Sequence, residues 1–164
     1  MGHIWLIGMM GSGKTTVGAI VAERLGLPFI DIDTEVMTRT GRTIPELFEQ
    51  GESVFRLNEA DAIEAVAGST PHVIATGGGA VLAKRNLELM RETGTTILLT
   101  ASTATILDRI STGADRPLAP NRDAVEAISE LRTAIYLAAA DHAVDTDGVD
   151  PSVVAERVYA CVAT

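Results

Sequence analysis

Cysteine occurs once in the 164 residues, at Cys161, and lysine twice, at Lys14 and Lys84; aromatic side chains make up only 4%. A single thiol forms neither an internal disulfide nor a thiolate metal cluster, a pattern that suits a reducing compartment. No apolar run reaches the roughly 20 residues that cross a bilayer. The run at Met1–Gly8 lacks a charged leader and a cleavage site, and a glycine-rich turn follows it at once. The expectation is a cytoplasmic chain with no membrane partner, acting as a monomer. Cations are scarce too: 13 Lys plus Arg against 22 Asp plus Glu leave a net charge of −9. The field of such a chain repels polyanions, which excludes nucleic acid as a partner but not a small local cationic site. His3, His72 and His142 have no metal-ligand spacing, and Trp5 and Cys161 read as buried and partly buried. Repeats, low-complexity tracts and linkers are missing as well, so residues 1–164 are expected to be one domain.

Apolar residues make up 46% of the chain, enough to bury a substantial core. Four short apolar runs predict buried strands at Ile4–Ile7, Pro28–Ile32, His72–Ala75 and Thr96–Leu99, with a weaker fifth at Ala143–Asp145. Between them lie helical stripes: Val17, Ile20, Val21 and Leu25; Leu57, Ala60, Ile63 and Ala67; Ile128, Leu131, Ile135 and Ala139; and Val153, Val154 and Val158 after Pro151. Strands of continuous apolar character alternating with helices predict an α/β sandwich of three layers around a parallel sheet. The stretch Ser111–Arg122, with Gly113, Pro117 and Pro120, reads as a mobile loop.

Gly8-Met9-Met10-Gly11-Ser12-Gly13-Lys14-Thr15 fits G-x-x-x-x-G-K-[ST], with Thr16 following. Glycines let backbone N–H groups turn inward as an anion nest, and the helix that follows adds its positive end. Lys14 is the point charge for the β- and γ-phosphates, and the Thr15 hydroxyl is a ligand for Mg²⁺. A predicted strand before the loop and a helix after it make this a nucleoside triphosphate site, with Gly11, Ser12, Gly13, Lys14, Thr15 and Thr16 around the phosphates.

Asp31-Ile32-Asp33 ends the second predicted strand, and alternation places the two carboxylates on one side at its carboxyl end. Asp31 suits Mg²⁺ through water, while Asp33 suits substrate hydroxyls; the bland alternative for Asp33 is the N-cap of a helix from Thr34. Arg56 lies four after Glu52 and three before Glu59, which alone would suit a solvated ion-pair face. Gly77-Gly78-Gly79, at the end of the third strand, suits close backbone approach to a ligand better than a plain turn.

Together these motifs resemble shikimate kinase. The residues that carry the resemblance are 8–18, Phe29 to Asp33, Gly41 with Ile44 and Phe48, and Gly51-Glu52 with Phe55, Arg56 and Glu59. Thr76 to Gly79, Arg116-Pro117-Leu118, Arg132 with Tyr136, and Val144-Asp145-Thr146 before Pro151 complete the set. The resemblance implies a P-loop kinase fold with strand order 2-3-1-4-5, and acceptor-binding helices at about 33–62. It implies that Asp33, Arg56, Gly78 and Arg132 contact shikimate, with Phe48, Phe55, Glu59, Gly77 and Gly79 around them. Arg116 would act from a lid at about 111–122, and Arg109 and Pro151 would flank the adenine. Ala19, Met37, Thr38 and Ala138 depart from the family's usual residues.

The implied ligands are shikimate and ATP with Mg²⁺. Arginine forks match a carboxylate, so Arg56 and Arg132 would anchor the acid, while Asp33 orients the 3-hydroxyl. Lys14 and Arg116 would offset charge on the transferring phosphoryl group. The rival readings are another small-molecule kinase of this fold, such as a gluconate kinase, and an ATP-binding module without turnover.

Overall fold

The apolar run after Gly2 forms β1, His3–Ile7, in the computed structural model, which describes residues 1–111 and 121–163. All five β1 residues are buried, as expected of a central strand covered on both faces. Four strands join it: β2 (Phe29–Asp31), β3 (Val73–Ala75), β4 (Gly94–Thr100) and β5 (His142–Asp145). All pairs are parallel and the order is β2-β3-β1-β4-β5, the order the resemblance implied.

Among the described residues, eight α-helices accompany the strands. They are α1 (Lys14–Leu25), α2 (Ile32–Thr40), α3 (Ile44–Glu49), α4 (Glu52–Ala67), α5 (Lys84–Thr93), α6 (Thr103–Ser111), α7 (Arg122–Ala139) and α8 (Pro151–Val162), with a 3-10 turn at Ala80–Leu82. Alternation along β1 feeds two cores. Ile4 and Leu6 pack with Val17 and Val21 of α1 and Val154 and Val158 of α8. Trp5 and Ile7 face the other layer, with Ile32 and Val36 of α2, Phe55 and Ile63 of α4, and Val125 and Tyr136 of α7. Among the described residues α1 and α8 cover one face of the sheet, and α2 to α7 with the 3-10 turn lie on the other.

Several sequence expectations shift. The second strand stops at Asp31 rather than Ile32, because the Asp31 carboxylate accepts the N–H of Asp33 at 3.0 Å and caps α2. Asp33 therefore sits in the first turn of a helix, not two residues along a strand, and the capping role that the bland alternative gave to Asp33 falls to Asp31. The stripe through Leu57 is out of phase: Leu57 is 64% exposed, while α4 buries Phe55, Glu59, Ala62, Ile63 and Val66. An acid on the inner face broke the apolar pattern. Leu131 likewise points outward at 76% exposure, and α7 buries Val125 and Tyr136 instead. Helices α5 and α6 were not singled out in the sequence, although each turns one side to the core: Asn86 and Met90 are buried in α5 and Ile106 in α6, with Leu87, Leu89, Leu107 and Ile110 packed beside them. The expected loop at 111–122 lies outside the described residues over 112–120; Ser111 ends α6, and Asn121 caps α7.

His3 ties β1 to its neighbours. Its Nδ1 accepts the His72 N–H at 3.1 Å, which leaves the proton on Nε2, 3.3 Å from the Ala67 carbonyl. Burial, helped by the nearby His72, pushes the His3 pKa down against the opposing effect of the Ala67 bond. The folded chain thus prefers neutral His3, and stability present above the unfolded value near 6.5 is lost as pH falls below it. Urea midpoints measured from pH 7.5 to 5.5 are expected to fall with acid, and His3→Asn is expected to flatten that slope.

Candidate active site

Between β1 and α1 the chain turns through Gly8, Gly11 and Gly13, all at positive φ (141°, 74° and 97°), where a side chain would be strained. Lys14 is almost fully buried, and its ammonium donates to the carbonyls of Gly8 and Met9, both at 2.8 Å. These bonds hold the charge at the centre of the turn. Thr15, in the first turn of α1, donates its hydroxyl to Asp31 Oδ2 at 2.7 Å. Asp31 thus caps α2 with one oxygen and meets the end of the phosphate loop with the other. A cleft of about 320 Å³ is lined by Gly11, Gly13, Lys14, Thr15, Thr16, Asp31, Asp33, Thr76, Gly77, Gly78 and Arg109.

Arg109 reaches in from α6. It donates to Gly11 O at 3.1 Å, to Thr146 Oγ1 at 3.1 Å and to Thr146 O at 2.9 Å, which joins the phosphate loop to the segment after β5. Ser12 is fully buried within the loop. Pro151 opens α8 behind the Asp150 cap and is exposed, and it is not among the residues lining this cleft.

A larger cavity, about 980 Å³, opens beside the first. Asp33, Phe48, Phe55, Arg56, Glu59, Gly77, Gly78, Gly79 and Arg132 all line it, so every acceptor residue named from the sequence converges here. Phe48 and Phe55 stack at 4.5 Å, and the Arg56 guanidinium lies 5.1 Å from the Phe55 ring centre. Arg56 donates to Glu59 at 2.8 Å and to Glu52 at 3.4 Å. The ion-pair reading was therefore half right: Glu52 is solvated, but the Glu59 side chain is only 1% exposed. Burial pushes the Glu59 pKa up, and Arg56 beside it pulls the other way.

The glycine run after β3 has a physical cause that the sequence did not disclose. None of Gly77, Gly78 or Gly79 has a positive φ. A Cβ on Gly79 would collide with the Arg56 guanidinium, and one on Gly77 with Glu59 Oε1. These two glycines make room for the site's own side chains. Met10, Met37, Ile44, Pro45 and Ile128 also line the acceptor cavity, and Met10 stands in the sequence only at a variable position of the phosphate loop. Its only signal was adjacency to Gly11. Arg116 lies outside the described residues.

A family model described as shikimate kinase matches residues 10–163. The chain belongs to the shikimate kinase family. Among curated relatives, the shikimate kinase of Geobacter sulfurreducens is 43% identical over 99% of this chain and 89% of its own length. That of Moorella thermoacetica is 43% identical over 96% of this chain and 92% of its own. Among solved structures, shikimate kinase from Acinetobacter baumannii in complex with shikimate superposes with a TM-score of 0.95 at 31% identity, over 99% of this chain and 93% of that one. A gluconokinase from Sinorhizobium meliloti reaches a TM-score of 0.63 at 20% identity, covering 99% of this chain and 91% of that one, and so shares the fold. As a shikimate kinase, the chain is an ATP-dependent small-molecule phosphotransferase of the P-loop kinase fold.

Proposed function

We propose that this chain, working as a single kinase domain and as a cytoplasmic monomer, transfers the γ-phosphate of ATP to the 3-hydroxyl of shikimate through the residues assembled above. The observation that carries the assignment of roles is the shared wall of the two cavities: Asp33, Gly77 and Gly78 line both. A phosphate seated at the loop and an acid held by Arg56 and Arg132 would then meet across Asp33.

The hydroxyl oxygen attacks the γ-phosphorus while the bond to the β,γ-bridging oxygen breaks and ADP departs. The hydroxyl proton passes to Asp33 or to water. Such a transition state is loose and needs little base strength, so positioning and charge neutralisation carry most of the rate. Lys14 meets the phosphates, Arg56 and Arg132 take the carboxylate as planar forks, and Asp33 orients the hydroxyl. Arg109 and Pro151 are assigned to the adenine side.

The hydroxyl of Thr15 and the carboxylate of Asp31 are hard oxygen donors in mutual contact, which fits a Mg²⁺ ion that keeps several waters. Bound there, Mg²⁺ would neutralise charge on the phosphate oxygens. Shikimate-dependent ADP formation with Mg²⁺, run beside gluconate, tests the reading. Release of ADP with shikimate and not gluconate is expected; turnover with gluconate alone, or with neither, would overturn it.

Gly79→Ala gives a second check on the Arg56 assignment. The added methyl displaces the guanidinium, and loss of a charge-assisted hydrogen bond corresponds to about a tenfold rise in shikimate KM. The ATP KM is expected to stay within about twofold. A shift in ATP KM alone would move Arg56 out of the acceptor half.

A further inference from the structure

Tyr136 is buried on α7, 3% exposed, and its hydroxyl lies where three parts of the site meet. It is 2.5 Å from the Gly78 carbonyl and 3.8 Å from Met9 Sδ of the phosphate loop, and the charge of Arg132, one turn earlier on α7, acts on the phenol. A phenol has one proton and two lone pairs, while a guanidinium only donates. The short contact to Gly78 O takes the proton, which leaves the oxygen's lone pairs able to accept from a guanidinium. Gly78 lies between the loop and Arg132: a Cβ there would stand in ordinary contact, 3.4 Å from Met10 N, 3.6 Å from Gly8 O and 3.6 Å from Arg132 Nη1. Burial pushes the phenol pKa up, so it stays a donor across the working range.

We propose that the Tyr136 hydroxyl is a positioning group for the acceptor, holding the Arg132 fork and the Gly78 peptide in fixed register with the phosphate loop. This rests on the reading of Arg132 as a shikimate carboxylate anchor. A tyrosine that served packing alone would need only its ring. Here each polar partner of the hydroxyl belongs to the site or to the loop beside it. Without the hydroxyl, Arg132 keeps its charge, but the Gly78 peptide beside it is no longer held and its direction is less fixed. The carboxylate would then be held loosely, and the 3-hydroxyl would meet the γ-phosphate less often in line.

Tyr136→Phe removes the oxygen and keeps the ring. The expected result is a shikimate KM about tenfold higher and a lower kcat, with ATP KM within about twofold and a melting temperature close to wild type. A tenfold change corresponds to about 1.4 kcal/mol. Because the tyrosine acts through Arg132, adding Tyr136→Phe to Arg132→Lys should change shikimate KM less than twofold. The proposal is overturned if Tyr136→Phe leaves shikimate KM and kcat unchanged, or if both substrates' KM values rise together. It is also overturned if the two substitutions multiply, or if Tyr136→Phe unfolds the chain, since the hydroxyl would then be structural. Wild-type protein that forms no ADP with shikimate would instead defeat the acceptor reading on which the tyrosine's role depends. Wild-type turnover with an unchanged variant defeats the tyrosine alone.

Discussion

Replacing Asp33 by Asn is expected to lower kcat for shikimate phosphorylation by about a thousandfold, within the usual range for a group that orients or deprotonates a nucleophile. Asn preserves the shape of the side chain and its place in the first turn of α2. It removes a negative charge that the helix N-terminus favours, and it swaps one acceptor oxygen for a donor. The acceptor hydroxyl then loses the partner that aims it. Binding of ATP should be nearly unaffected, because Lys14 and Thr15 open α1 and do not stand on α2. Rapid-quench measurement of the chemical step, with nucleotide affinity from calorimetry, separates the two effects. Turnover within about threefold of wild type would remove Asp33 from its assigned place.

The second large effect is expected at Lys14. Lys14→Met keeps the stem and removes the ammonium, and kcat should fall by about a hundredfold to a thousandfold, the scale of losing one preorganised transition-state donor. A stability loss accompanies it, because the carbonyls of Gly8 and Met9 each accept from that ammonium at 2.8 Å. Leaving a buried acceptor without its partner costs about 1–3 kcal/mol. Lys14→Arg is expected not to rescue activity, since a planar fork cannot occupy the centre of a turn shaped around a point charge. Full activity in the arginine variant would show that charge alone matters there. Thermal melts alongside the kinetics keep the folding and catalytic losses apart.

How much of this was legible in the chain depends on the distance over which each signal acts. The phosphate loop is a local object: three glycines, a lysine and a hydroxyl within eight residues, bracketed by a strand and a helix that follow directly. It could be read residue by residue. The parallel sheet could be read from apolar runs, but its order could not, because pairing of β1 with β3 and β4 is decided by long-range packing. Asp31 and Asp33 were correctly grouped and wrongly explained. One hydrogen bond from the Asp33 N–H decides between strand and helix there, and the apolar Ile32 between them favours neither. Glu59 was the deepest concealment. A buried acid looks in the sequence like any surface acid of a helix, and its presence on the inner face of α4 shifted the apparent stripe onto the exposed Leu57. The glycines at 77 and 79 posed the same difficulty, because the atoms they avoid belong to a helix about twenty residues earlier.

That packing has a bearing on how the site could be moved or rebuilt. The guanidinium of Arg56 occupies the space a methyl group would fill at position 79, and the carboxylate of Glu59 does the same at position 77. Helix α4 and the turn after β3 are thus two halves of a single moulding, each meaningless in shape without the other. A graft of α4 into another kinase scaffold would keep Arg56 and Glu59 in their present places only if the bare backbone at 77 and 79 went with it. Redesign of the acceptor pocket has to treat positions 56, 59, 77 and 79 as one unit of exchange, altered together or left alone.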